Sequence, residues 1–383
     1  MARILVSAGE ASGDLYASLV VAELARLLPG SQFFGCTGPR LRAAGVRTVV
    51  DAASLAVVGL IEVASHIPRI YREYRKLLAS ADPPPDLAIL TDSPDFHLRV
   101  ARRLHRRGVP VVYLVAPQVW AWRKGRIPGM RRTIRRLLCI FPFEEEFFTR
   151  HGIPATYIGH PLAGLVRPSL SREEFFRKHR LAAERPLVAV LPGSRRGEAA
   201  RHLPALLDAA ERLYREQAVN LILPASATTG AGFFEARLGG SPVKVIEGES
   251  WDAMAHSDLA LAASGTVTVE AALLGVPMVT FYKVTNASWL AGKFLVDVPF
   301  YSMVNLIAGR AVVPELVQAD FTPQRLAAQA ESLLSGSPTE NRRVIEMLRG
   351  LQEVQNLLGP PGAVERAADE IARHLQTAQS NAK

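Results

Sequence analysis

Apolar residues follow two rhythms along this chain. Short runs come unbroken: RILVSA (3–8), QFFGC (32–36), DLAILT (86–91), VPVVYLV (109–115) and LLCIF (137–141). Between most of them the apolar positions recur every three or four residues. An unbroken run predicts a strand buried on both faces, and the three-four spacing predicts an amphipathic helix. The stretch 13–28 reads as such a helix, with Ser12 as its cap and Pro29-Gly30 as its stop. The rhythm breaks in a polar passage, RPSLSREEFFRKHRLAAERP (167–186), and then restarts. LVAVL (187–191), NLILP (220–224), VKVIE (243–247), DLALAA (258–263) and PMVTF (277–281) are the second set of strands.

Strands alternating with helices predict an α/β protein with mostly parallel sheets. The restart predicts two Rossmann-like domains, residues 1–165 and 166–338. A helical tail, 339–383, either caps the second domain or crosses back to the first. Open parallel sheets bind ligands at the carboxyl ends of their strands. Two such sheets facing across a cleft would put the chemistry in loops that follow strands.

Composition adds little to this until charge is considered. At 383 residues the chain is too long for one ordinary core. Two cysteines, Cys36 and Cys139, neither staple a protein of this size nor cluster as metal ligands, so a reducing compartment is expected. No run of about 18 apolar residues suggests a membrane span, and the opening MARILVSAGEASGD does not read as a signal peptide. The net charge of +9 is uneven: Arg99 to Arg136 holds twelve Lys and Arg and no Asp or Glu. So dense a segment fits an anionic partner or, equally, a solvated face.

Five loops carry candidate chemistry. SAGEASGD (7–14) joins the first strand to a helix and offers Glu10, Ser12, Gly13 and Asp14. A helix start suits an anion or polar ligand, although a simple capped turn has the same form. TDSPDF holds Asp92 and Asp95 after a strand. Either could accept a proton from a hydroxyl or cap the helix; Asp95 is the better cap, Asp92 the better base. APQVWAWRK presents Gln118, Trp120, Trp122, Arg123 and Lys124, aromatic faces and cations suited to a phosphorylated sugar, with a Trp anchored on the core as the alternative.

The other two loops lie in the second half. LPGSR places Gly193, Ser194 and Arg195 between a strand and a helix, where backbone N–H groups and a guanidinium would meet phosphate. Ser264, Gly265 and Thr266 form a second such turn, and Glu270 lies one helical turn on, placed to accept bonds from ribose hydroxyls. Neither turn is a P-loop. D-x-D, H-E-x-x-H and G-x-S-x-G are all absent. Two phosphate-suited turns in one half and a candidate base in the other suggest group transfer from a nucleotide donor.

GEASGD, SPDF, APQVWAWR, LPGSR, ASGT with Glu270 and YSMVNLIAGR (301–310) closely resemble, in the same order, the lipid-A-disaccharide synthase family. The resemblance runs from residue 3 to about 375. It implies the glycosyltransferase-B fold, inverting chemistry without a metal or other cofactor, and transfer from UDP-2,3-diacylglucosamine to the 6-hydroxyl of 2,3-diacylglucosamine 1-phosphate. It implies Asp92 as base, Arg195 by the UDP phosphates, and Asn305 near the nucleotide. It also implies a peripheral place on the anionic, cytoplasmic face of an inner membrane. Ala11, where a threonine is common, and Arg196-Gly197 after the P-G-S-R motif are mild departures.

Acylated substrates require an apolar surface. In the stretch 57–78, Ile67, Ile70, Tyr71, Tyr74, Leu77 and Leu78 share a helical face, with Ile67, Ile70, Tyr74 and Leu77 the expected membrane contacts and Arg69, Arg72, Arg75 and Lys76 largely elsewhere. That pattern fits a membrane-contacting helix and fits equally a helix packed on the sheet. Another UDP-sugar enzyme of the same fold is the nearest rival reading, and a homodimer stays open. Nucleic-acid binding leaves the two phosphate-suited turns without a role, so no nucleic-acid partner is expected.

Overall fold

The computed structural model of the protein describes residues 1–55, 60–226, 228–286, 289–290, 298–337 and 339–381. The start of the proposed membrane stretch, 57–59, lies outside them. The chain forms two compact units, Met1–Pro161 with the segment from Leu358 onward, and Leu162–Leu357.

The first unit is built on seven strands, β1 (Arg3–Ala8), β2 (Gln32–Thr37), β3 (Arg47–Asp51), β4 (Leu87–Thr91), β5 (Val111–Leu114), β6 (Arg136–Cys139) and β7 (Ala155–Tyr157). Their order is β3-β2-β1-β4-β5-β6-β7, and every pair is parallel. The central strands are buried on both faces, as their unbroken apolar runs require: Ile4, Leu5, Val6, Leu87, Ala88 and Leu90 have no exposed surface. Helices α1 (Ala11–Leu27), α2 (Pro39–Ala43), α3 (Leu60–Ser80), α4 (Pro94–His105), α5 (Ile127–Thr133) and α6 (Pro142–Arg150) connect the strands. Ser12 does not cap α1; it lies inside the helix, and Glu10 takes the cap position without a side-chain bond.

The second unit repeats the plan with α7 (Arg172–Lys178), β8 (Leu187–Leu191), α8 (Arg196–Gln217), β9 (Asn220–Ala225), α9 (Ala231–Glu235), β10 (Lys244–Glu247), α10 (Ser250–Ala255), β11 (Leu259–Ala263), α11 (Thr266–Leu273) and β12 (Met278–Tyr282). It continues through α12 (Met303–Ala308), β13 (Glu315–Val317), α13 (Pro323–Leu334) and α14 (Arg342–Leu357). Its sheet order, β10-β9-β8-β11-β12-β13, is again all parallel.

Residues 339–357, read from sequence as part of a separate tail, belong to the second unit. There α14 buries Val344, Met347, Leu351 and Val354 beside α11 and α12. Only the last helix, α15 (Ala363–Asn381), returns to the first unit. Its Ala367, Ala368, Ile371 and Leu375 are buried where it packs on α1. Arg366 Nε donates to the carbonyl of Ile158 at 2.8 Å, and Arg136 pairs with the buried Glu370 at 3.0 Å.

Helix α3 corrects the membrane face expected from sequence. Leu77 is fully buried, and Ile70 and Tyr74 pack against the core, Tyr74 edge-on to Phe96. The apolar stripe is therefore mainly the core face of an amphipathic helix. Two members of the stripe do face solvent, Ile67, 57% exposed, and Tyr71, 59% exposed.

In each sheet the strand order reverses direction once, between β1 and β4 and between β8 and β11. Crevices at such switch points are where open α/β sheets hold ligands. The registers Ala8↔Thr91 and Leu191↔Ala262 bring the two flanking loops side by side in each unit.

Candidate active site

At the first switch point the carboxylate of Asp92 is fixed from below. The N–H groups of Gly9 and Glu10 donate to its two oxygens at 2.8 and 2.9 Å. Asp92 and Ser93 both take left-handed backbone angles, φ 54° and 35°, which non-glycine residues seldom adopt. Two buried side chains hold that turn. His97 Nδ1 lies 3.0 Å from the Asp92 carbonyl oxygen, and the Tyr113 hydroxyl donates to the same oxygen at 2.5 Å. The Ser7 hydroxyl lies 2.7 Å from His97 Nε2. Donation by Ser7 to Nε2 leaves the proton on Nδ1, where it bonds the carbonyl.

Burial pushes the Asp92 carboxyl up to about 8, against the lowering effect of the Glu10 and Gly9 N–H donors. Burial pushes His97 the other way, down to about 4, so the imidazole is neutral at neutral pH. A carboxyl with that value is matched to accepting a proton near neutrality. Gly13 makes room for it: a Cβ there would lie 1.8 Å from Asp92 Oδ2. Gly13 thus has a steric job beside Asp92.

Several neighbours differ from the sequence reading. Asp14 is buried and accepts from the N–H groups of Gly38, Arg40 and Leu41 at 2.7, 2.9 and 3.2 Å, so it caps α2 and does not face a substrate. Asp95 does not cap α4. It is exposed, bonded by Arg123 at 2.7 and 2.9 Å and also paired with Arg126. Arg123 lies 4.5 Å over the Trp122 ring, which leaves that face covered. Trp120 is an anchor: its Nε1 donates to buried Glu144 at 3.1 Å, and its ring meets Phe143 edge-on. Gln118 and Lys124 are exposed on the same loop, Glu10 is exposed at the head of α1, and Ser12 is half-buried.

At the second switch point Gly193 has φ 113°, a glycine conformation, and leads to exposed Ser194 and Arg195 at the start of α8. Across the β8–β11 pair, Ser264, Gly265 and exposed Thr266 open α11. The Ser264 hydroxyl donates to the Tyr301 carbonyl, which ties this turn to the 301–302 segment. Burial raises Glu270 to about 7, with a bond from Trp251 opposing the shift. It is therefore not an ordinary surface residue.

Asn305 is buried and fully engaged. Its Nδ2 donates to Val313 O and Glu315 Oε1 at 2.9 and 2.8 Å, and its Oδ1 accepts from Val312 and Val313 N–H at 2.7 and 2.9 Å. Glu315 in turn accepts from the Tyr301 and Ser302 N–H groups at 2.9 and 2.8 Å. Asn305 therefore positions the segment that Ser264 grips, with its amide bonded within the protein. His97, Tyr113 and Glu315 were absent from the sequence reading. A histidine on the apolar face of α4 was the one signal for any of them. Among the described residues no group of three or more His, Cys, Asp or Glu could hold a metal ion, and no helix is long and apolar enough to cross a membrane. Cys36 and Cys139 are buried free thiols.

Comparison with solved structures places the architecture. A UDP-GlcNAc 2-epimerase from Neisseria meningitidis superposes with a TM-score of 0.65 at 12% identity, covering 97% of this chain and 100% of that one. A glycosyltransferase from Rickettsia africae gives 0.58 at 9% identity, covering 98% of each. With two parallel-sheet units of six and seven strands, the fold is the two-domain glycosyltransferase-B type. Sequence narrows this. The family model for lipid-A-disaccharide synthetase matches residues 4–358. Lipid-A-disaccharide synthases from Solibacter usitatus and Myxococcus xanthus are 75% and 42% identical, over 98% and 97% of both chains in each pair. The chain belongs to the lipid-A-disaccharide synthase family, and is thereby a glycosyltransferase.

Proposed function

We propose that the enzyme transfers 2,3-diacylglucosamine from UDP-2,3-diacylglucosamine to the 6-hydroxyl of 2,3-diacylglucosamine 1-phosphate, with inversion. The products are the β-1,6-linked disaccharide 1-phosphate and UDP. The observation that carries this reading is Asp92: a rigidly held, largely buried carboxylate, its side chain 11% exposed, at a switch point and with a raised proton affinity. In this mechanism Asp92 takes the 6-hydroxyl proton as that oxygen attacks the anomeric carbon. The carbon–oxygen bond to UDP breaks on the opposite face, and its electron pair leaves with the diphosphate. Arg195 and the N–H groups opening α11 balance the charge that develops there. Glu270 accepts from the ribose hydroxyls. Exposed Arg123 or Lys124, Gln118 and Trp122 meet the phosphorylated acceptor.

Turnover by purified enzyme of the two acylated substrates, in EDTA, tests the reaction. Disaccharide and UDP in equal amounts are expected. Loss or epimerisation of the UDP-sugar with no disaccharide formed would overturn the reading.

The acyl chains place the enzyme on the anionic cytoplasmic face of the inner membrane, with Ile67 and Tyr71 as the apolar contacts. An Ile67→Glu/Tyr71→Glu variant should stay folded and leave anionic vesicles. Leu77→Glu, in the core, should lower Tm steeply. Retention of the double variant on vesicles would remove this contact surface.

A further inference from the structure

Two clefts, one in each unit, differ in their charges. One, of about 380 Å³ in the second unit, is lined by Asp208, Glu211 and Glu216 together with Arg212 and Arg215. Its charges nearly balance, three carboxylates against two guanidinium groups, with Arg215 and Glu211 paired at 2.6 Å. The other, of about 270 Å³ in the first unit, lies between α4 and α5. Arg99, Arg102, Arg126 and Arg132 line it, against the one carboxylate of Asp95. That carboxylate is already shared by Arg123 and Arg126.

The cleft is built by helix spacing and by two glycines. Asp95, Leu98, Arg99 and Arg102 fall on one face of α4. Opposite, Gly125 and Gly129 leave the wall bare. A Cβ at Gly125 would meet nothing within 4 Å, and one at Gly129 would meet only the Arg102 guanidinium, at 3.8 Å. Arg102 therefore reaches across from α4 to α5. Arg132 is held along α5 by a bond from its Nε to the Pro128 carbonyl at 3.2 Å. Cations converging without matching carboxylates repel one another unless an anion joins them, and guanidinium forks match phosphate oxygens.

We propose that this cleft binds a phosphate group carried on an acylated molecule. The lipid part follows from position: α4 packs on α3, the helix that exposes Ile67 and Tyr71. Two sources share this chemistry, the headgroup of an anionic bilayer lipid and the 1-phosphate of the acceptor. The inference deepens the proposed function, and it relies on that reading only for the second source.

The test compares wild type with Arg99→Gln/Arg102→Gln and with Arg103→Gln/Arg106→Gln, a pair on the same segment that does not line the cleft. Each is first shown to melt like wild type. One arm measures retention on phosphatidylcholine vesicles with and without phosphatidylglycerol, at fixed ionic strength. The other measures acceptor KM and kcat in phospholipid-free detergent micelles. A loss of about tenfold in phosphatidylglycerol-dependent retention by the first pair alone identifies the bilayer headgroup. A rise of fivefold or more in acceptor KM, with kcat within about twofold, identifies the acceptor phosphate. An equal effect from the Arg103/Arg106 pair, or no effect in either arm, overturns the proposal. Vesicle binding needs no turnover, so a wild type that made no disaccharide would sink the reaction and still leave the cleft judged.

Discussion

The loops after β4 and β11 occupy the same place in their sheets, yet they are built by opposite means. After β4, two non-glycine residues are held in left-handed geometry, and four neighbours pin them: the Gly9 and Glu10 N–H groups, His97 and Tyr113. After β11, the turn is Ser264-Gly265, with Gly265 in extended backbone that any residue could take, and open space around it. Strain persists only where the surroundings over-determine it. The first loop spends its neighbours on fixing one carboxylate. The second stays open, so its N–H groups remain available to something that arrives. In the proposed reaction the first loop would serve a proton and the second a diphosphate.

Substitutions can break that contrast. Asp92→Asn should lower kcat by about a thousandfold or more, the range of a lost general base, in single-turnover assays. A carboxyl acting as the proposed base must be ionised, so the wild-type rate should climb with pH and level off above about 8, the value to which burial raises Asp92. That limb should vanish in the variant. Asp95→Asn should cost only a few-fold, and a larger loss there would shift the base three residues along.

Gly13→Ala comes next. Its methyl would occupy the space of Asp92 Oδ2, and a displacement near 1 Å costs about a hundredfold in rate. Circular dichroism should show the fold kept. Arg195→Ala should reduce kcat/KM for the UDP-sugar by about ten- to a hundredfold, with acceptor KM little changed. The smallest effect tests the open loop. Gly265→Ala meets no protein atom, so Tm should hold, while UDP-sugar KM should rise several-fold if a phosphate approaches that backbone. An unchanged KM would mean that no ligand comes close.

Much of the architecture was legible. Ten strands announced themselves as apolar runs, nine of them interior to their sheets and the tenth, β10, a short edge strand. The three that escaped, β3, β7 and β13, all lie at sheet edges. Two of them, Ala155–Tyr157 and Glu315–Val317, are three residues long. Edge strands are kept short and polar, which erases the signal. The candidate loops were legible as well, because strand ends and glycines mark them. What each side chain does there was less so. Asp14 and Asp92 are both acidic residues near a helix start, and only the third dimension shows that one meets the N–H groups of α2 while the other lies under Gly9 and Glu10. Asn305 misled similarly, since a motif residue can act by holding a loop. In α3 the three-four stripe was real, but periodicity does not say whether protein or lipid covers it.

The return of α15 to the first unit has a consequence for biosynthesis. On the ribosome the amino-terminal unit is finished last. The face of α1 that α15 covers must wait, uncovered, until residues 363–375 emerge, after the whole second unit has been made. The second unit, Leu162–Leu357, is continuous and can close as soon as it leaves the tunnel. The half that carries the proposed base is thus assembled from two separated stretches of the chain, and a nascent chain arrested near residue 357 would hold both sheets but lack the helix that covers α1.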